Sequence, residues 1–157
     1  MGATEDTARG RGARPGGTDC ISPNPPAAVL DASAFVRASV DQKDVARHWI
    51  AAIDSGESHG LVPDLFYAEV ANALSNYVRA GHMRTERGIE LVGMAVDLPL
   101  TSRSLRELAP TALAISLERG VTVYDAAYVA LAEAADAVLI TADRSLAEVA
   151  ARSELLE

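Results

Sequence analysis

The sequence predicts an α/β domain built on a mainly parallel sheet, and three observations predict it. Short aliphatic runs, such as Ala27-Ala28-Val29-Leu30 and Ala137-Val138-Leu139-Ile140-Thr141, read as buried strands. Between such runs, apolar residues recur at helical spacing, so strands alternate with helices. The chain has 157 residues, enough for one domain with a full core, with 49% hydrophobic and 23% charged residues. Aromatics make up only 4%, so that core must be built mainly from Ala, Val, Leu and Ile.

Residues 1–26 are rich in Gly, Arg, Thr, Asp and Pro and lack any apolar period. Such a segment cannot bury enough surface to offset its ordering entropy, so a disordered tail is expected. It is either native or the product of a start codon set too far upstream. The folded domain is expected over residues 27–157. The first strand ends at Asp31, and Asp41 and Asp44 frame a helix carrying Val45, Ala46, Trp49, Ile50 and Ile53. Gly60-Leu61-Val62 is a short strand stopped by Pro63. Asp64 is positioned to cap a helix with the stripe Phe66, Val70, Ala73, Leu74 and Tyr77, which Gly81 closes.

Thr85 and Glu86 open a further helix carrying Ile89, Val92 and Val96. Asp97 to Thr101 reads as a strand whose Pro99 suits an edge position. Ser104 to Glu107 fits a capping box, and Pro110 either kinks the helix behind it or restarts it. Gly120 ends that segment. Thr122 caps a helix through Ala127, Ala130, Leu131 and Ala134, whose small face suits close packing on a sheet. Residues 137–141 form the clearest strand, and Asp143 to Ala151 a final helix.

The charge and residue counts exclude several function classes. A formal net charge of −8 argues against a protein that coats nucleic acid, although a bound cation would offset local carboxylates. The single cysteine, Cys20, excludes an internal disulfide and a cysteine-based zinc site. No apolar run approaches the roughly 20 residues that span a bilayer. The three N-terminal arginines have no hydrophobic stretch behind them, as a secretory signal would, so a cytoplasmic protein is expected. His48, His59 and His82 share no spacing and read as surface residues.

Four acidic residues carry the functional signal: Asp31, Glu69, Asp125 and Asp143. Three of them also have local explanations. Asp31 suits an Asx turn, Asp125 the third position of a capping box begun by Thr122, and Asp143 a helix N-cap. Glu69 lies in mid-helix beside the apolar stripe, where no capping role exists. As a set they can converge, because parallel sheets gather functional groups at the carboxyl ends of their strands. Confined carboxylates raise one another's pKa unless a cation offsets them, and hard oxygen donors select Mg2+ or Mn2+. Ser33, Thr141 and Asn72 could orient those carboxylates or simply bond to nearby backbone. Arg37 and Arg144 could steer a phosphate or stand as ordinary surface arginines.

The order Val-Leu-Asp-Ala-Ser (29–33), Glu-Val-Ala-Asn-Ala-Leu (69–74), Val-Tyr-Asp-Ala-Ala-Tyr-Val-Ala-Leu-Ala (123–132) and Ile-Thr-Ala-Asp-Arg-Ser-Leu (140–146) resembles PIN-domain ribonucleases. It looks most like the VapC toxins of VapBC toxin–antitoxin pairs. The resemblance covers the chain beyond the tail. It implies a three-layer α/β/α sandwich and an Mg2+-dependent endoribonuclease, with Mn2+ as a substitute. Asp31, Glu69, Asp125 and Asp143 would form the acidic metal site. It further implies an RNA substrate cut to leave a 5′-phosphate, a homodimer, and a VapB-like antitoxin whose segment fills the groove. The family usually begins just before its first strand, so the long tail bears on the start site rather than the fold.

A rival that keeps the fold but drops catalysis, leaving an interaction module, finds no support, because all four acidic positions are occupied. Two other rivals remain at this stage. One is a PIN-domain nuclease outside any toxin–antitoxin pair. The other is a phospho-receiver domain, which also gathers carboxylates around Mg2+ but pairs them with a late lysine, whereas the only lysine here is Lys43.

Overall fold

In the computed structural model, which describes residues 26–41 and 44–156, five strands form one all-parallel sheet. The strands are β1 (Ala27–Leu30), β2 (His59–Pro63), β3 (Thr101–Arg103), β4 (Val138–Thr141) and β5 (Ser153–Leu155), in spatial order β3-β2-β1-β4-β5. The expected tail lies outside the described residues except for Pro26. Its carbonyl accepts from His59 N at 2.9 Å and Ser58 Oγ at 2.8 Å.

The helices flanking the sheet are α1 (Ala32–Val36), α2 (Asp44–Asp54), α3 (Phe66–Arg79), α4 (Thr85–Asp97), α5 (Leu105–Arg119), α6 (Val123–Ala134) and α7 (Arg144–Val149). A π-helical turn, Arg37–Asp41, follows α1. From β1 the chain steps outward to β2 and β3, then returns across the sheet to β4 and β5. Right-handed crossovers therefore set the two groups of helices on opposite faces, giving three layers. The direction of winding reverses between β1 and β4. Open α/β sheets present a crevice at such a switch point.

The core is aliphatic, as the composition requires. Ala28, Val29, Leu30, Leu139 and Ile140 are almost fully buried in the central strands. Helix α6 packs across β1, β2 and β4, and Ala126 through Ala132 are all buried. Its small residues let a helix lie close on the sheet, and Gly120, with φ 71°, supplies the left-handed turn that ends α5 ahead of it. Pro110 lies inside α5 without ending it.

Several local expectations need correction. Asp64 does not cap α3, whose N-cap is Leu65. Its carboxylate instead accepts at 3.0 Å from Leu105 N, the first amide of α5, beside the N-cap Ser104. Helix α4 turns Gly88, Leu91 and Ala95 inward, leaving Ile89 and Val96 exposed. Two apolar stripes lie side by side on that helix, and the one with small residues wins because it allows closer approach. A Cβ on Gly88 would already stand 3.2 Å from Val78 Cγ2. The edge strand starts at Thr101, where the expected strand ended. Strand β2 opens one residue earlier than expected, at the exposed His59, and Pro63 is its last residue, beside Arg103. Helix α1, the π-helical turn and β5 had no signal strong enough to read.

Candidate acidic site

Asp31 is the first residue beyond β1, and its N–H donates to Ile140 O at 3.0 Å, which pins it to β4. The residue is only 7% exposed. Oδ2 accepts from the Ser33 hydroxyl and from Thr141 Oγ1, the latter at 2.7 Å. Those hydroxyls are held in turn. Ala142 N donates to Ser33 Oγ at 2.9 Å, and Asp143 N to Thr141 Oγ1 at 3.0 Å. The carboxyl ends of β1 and β4 are thus stitched together at the switch point. Among the described residues every buried side-chain N or O has a partner.

Glu69, half-buried, lies in the first turn of α3 rather than in mid-helix, because the helix starts only at Phe66, and it accepts from the Tyr128 hydroxyl at 2.5 Å. Tyr128 is 1% exposed on α6, three residues beyond Asp125. Asp125 sits in the first turn of α6. Thr122 Oγ1 accepts from its N–H at 3.1 Å and donates to its Oδ2 at 2.7 Å. Asp143 is exposed and is the N-cap of α7, its Oδ1 accepting from Ser145 N at 2.8 Å and Leu146 N at 3.2 Å. The local capping explanations of Asp125 and Asp143 are therefore real, and they fix where each carboxylate stands.

The electrostatics tie three of the four together. Burial pushes the Asp31 carboxyl above its ordinary range, against the pull of the Ser33 and Thr141 hydroxyls and nearby backbone amides. Glu69 is also raised, first by desolvation; the Tyr128 bond opposes this, and the charges of Asp31 and Asp125 add to it. Burial, then the charges of Asp31 and Glu69, push the Tyr128 phenol far up, so it stays a neutral donor. Glu69 thus feels the charges of both Asp31 and Asp125. Asp143 joins them through its backbone and the Thr141 hydroxyl.

Among the described residues, no three Asp, Glu, His or Cys side chains stand close enough to hold one ion between them. The donor set nevertheless fits a hard divalent cation. It is all oxygen, and its two inner carboxyls are held where negative charge is costly. Mg2+ keeps several of its waters and needs only one or two protein carboxylates.

Ser33 and Thr141 bond to the acidic site as the sequence suggested. Asn72 is exposed, its carbonyl accepting from Ser75 Oγ at 2.9 Å. Arg37 pairs with Asp41 at 3.6 Å, and Arg144 is exposed at the start of α7. Tyr128 went unassigned in the sequence, although one signal was available. It is a large hydroxylated residue three positions from Asp125, set among the small residues Ala126, Ala127 and Ala130. Beyond the site, a cavity of about 760 Å3 opens between α1, α2 and α4, lined by Phe35, Ile50, Leu91 and Met94 with Arg47 and Arg87.

The chain matches the PIN domain family over residues 28–152. It is 38% identical over 122 residues to Ribonuclease VapC3 of Pyrobaculum aerophilum, a match covering 76% of this chain and 92% of that protein. Among solved structures it resembles PAE2754 of Pyrobaculum aerophilum, with TM-score 0.63 and 25% identity over 82% of this chain and 83% of the other. It also resembles a chain of VapBC2 from Rickettsia felis, crystallised bound to a DNA fragment from their promoter. There the TM-score is 0.61 over 83% of this chain and 99% of the other, and at 12% identity the likeness concerns the fold alone.

Proposed function

Since this chain belongs to the PIN-domain family, we propose that it is a divalent-metal-dependent endoribonuclease and the toxin of a toxin–antitoxin pair. The observation that carries the reading is Asp31, buried at the switch point, anchored by Ser33 and Thr141, and acting by its charge on Glu69, which also feels Asp125. Nothing local requires a buried carboxylate there. A carboxyl raised by burial is stabilised as an anion when a cation joins it.

In this proposal one or two of Asp31, Glu69, Asp125 and Asp143 would bind Mg2+ or Mn2+ directly, and the others would reach it through its waters. The bound cation would lower the pKa of a water and offset charge on a phosphodiester. The chain's own residues supply orientation. Ser33 and Thr141 fix the Asp31 carboxylate, Thr122 fixes Asp125, and Tyr128 holds Glu69 while excluding water from its inner side. No histidine or cysteine is needed, because the nucleophile is a water.

The partners belong to the same proposal. The relative named Ribonuclease VapC3 supports RNA as the substrate. The cavity between α1, α2 and α4 offers an apolar seat with a charged rim for a helical antitoxin segment, and a guanidinium from that segment would pair with the carboxylates. A homodimer is proposed as well, and Leu113 and Leu117, exposed one turn apart on α5, offer it an apolar surface.

Incubation of the purified protein with total cellular RNA tests the reading. Cleavage should stop in EDTA and return with Mn2+ or Mg2+, and Asp31→Asn should abolish it without unfolding the protein. Undiminished cleavage in the chelator would overturn the metal-dependent reading. Growth arrest on expression alone, relieved by a neighbouring small gene, tests the toxin role. Light scattering tests the dimer.

A further inference from the structure

The chain contains seven aromatic residues, all within the described region. Phe35, Phe66 and Tyr128 are buried in the core, and Trp49, Tyr67 and Tyr77 pack against it. Tyr124 alone stays out, at 63% exposed. Its position is specific. It occupies the first turn of α6, directly before Asp125 and four residues before Tyr128. Residues four apart share a helix face, and four residues advance about 6 Å along the axis. Tyr128 reaches inward on that face to Glu69. Tyr124 therefore stands one turn toward the N-terminus on the same side of α6, exposed and directly beside Asp125. Thr122, bonded to Asp125 through both backbone and side chain, fixes the turn that carries it.

We infer that Tyr124 is a substrate-binding residue whose ring stacks on an unpaired base flanking the scissile phosphate. This rests on the reading of the protein as a ribonuclease. An unpaired base needs a flat apolar face, and aromatic rings supply one in single-strand recognition. The need is greater here than usual. A chain of net charge −8 gains little from general attraction to phosphate, so stacking must carry more of the grip. A tyrosine is also suited to alternate exposure and burial, because its hydroxyl remains solvated when the ring face is covered.

The test uses the full chain as wild type, Tyr124→Ala, Tyr124→Phe and Tyr124→Trp. Binding to a fluorescein-labelled pool of random-sequence 20-nucleotide single-stranded RNA is measured with Ca2+ in place of Mg2+. Cut sites in total cellular RNA are mapped by end sequencing. Tyr124→Ala should weaken binding by about tenfold, the scale of one lost base stack, and relax base preference at one position beside the cut. Phe and Trp should keep binding within about twofold. Unchanged affinity and preference in Tyr124→Ala, with the wild type active, would overturn this inference alone. A wild type that neither binds nor cuts RNA would overturn the ribonuclease reading, and this inference with it. If Tyr124→Ala changes the oligomeric mass and leaves RNA affinity intact, the ring serves a protein contact and the inference is wrong.

Discussion

Replacing Tyr128 by Phe removes one oxygen from a buried ring and leaves the packing of α6 otherwise unchanged. The oxygen removed is the donor to Glu69 Oε2 at 2.5 Å. A hydrogen bond to a charged group contributes about 1.5–3 kcal/mol. Glu69 is only half-buried, so water restores part of the loss and screening reduces the rest, giving about 1 kcal/mol near neutral pH. The pH dependence is the sharper test. Glu69 is raised above 4.5 in the folded protein. Its contribution is therefore fully present below that ordinary value and is lost as pH rises through the raised one. Removing the donor raises the folded value further, so the variant must lose more stability than wild type on the same climb. Urea unfolding in chelator, at pH 4.5 and 7.5, measures this. The variant should fall further below wild type at pH 7.5 than at pH 4.5. An equal difference at both pH values would refute the link between Tyr128 and the charge of Glu69.

Other outcomes follow from the same geometry. Asp31 is also raised by burial, so the metal-free protein should lose stability as pH rises from about 4. Metal bound only to the native state at 100 times its Kd should restore about 2.7 kcal/mol, measured as a rise in melting temperature that Asp31→Asn lacks. Thr122→Ala should cost about 1 kcal/mol through the lost cap and lower kcat by freeing Asp125, whereas Thr122→Ser should keep both. Gly60→Ala should destabilise by about 1–3 kcal/mol in urea unfolding, because its Cβ would stand 2.6 Å from Leu100 Cδ2 and 2.8 Å from Ile53 Cγ2. Leu100 Cδ2 ends a flexible side chain and can shift, but Ile53 Cγ2 belongs to a stiff, buried β-branched residue that cannot move as freely.

Much of this fold was legible because its strongest elements are also its most periodic. Helix α3 carries Phe66, Val70 and Leu74 inward at helical spacing, and β4 is an unbroken aliphatic run. The elements that escaped are short. Helix α1 has five residues and β5 three, too few for any period to emerge. Helix α4 was found but turned wrongly, since sequence cannot tell which of two adjacent apolar stripes meets the neighbouring helix. Within the acidic site, Ser33 and Thr141 could be singled out because each lies within two residues of a carboxylate. The bond from Tyr128 to Glu69 spans 59 positions, and no local pattern announces such a partner.

The bond between Thr141 and Asp31 spans 110 positions. At a synthesis rate of about 5–20 residues per second, Asp31 leaves the ribosome roughly 5–20 s before the residue that anchors it. During that interval β1, destined to be the middle strand, has β2 on one side and an open edge on the other. An aliphatic strand with unpaired backbone groups invites association with other chains, so nascent copies depend on prompt completion or on chaperones. The same delay bears on the proposed activity. Until β4 inserts, Asp31 lacks both the Thr141 hydroxyl and the backbone that positions Ser33, and the emerging polypeptide has no ordered acidic centre. On the proposed function, only finished molecules would cut RNA.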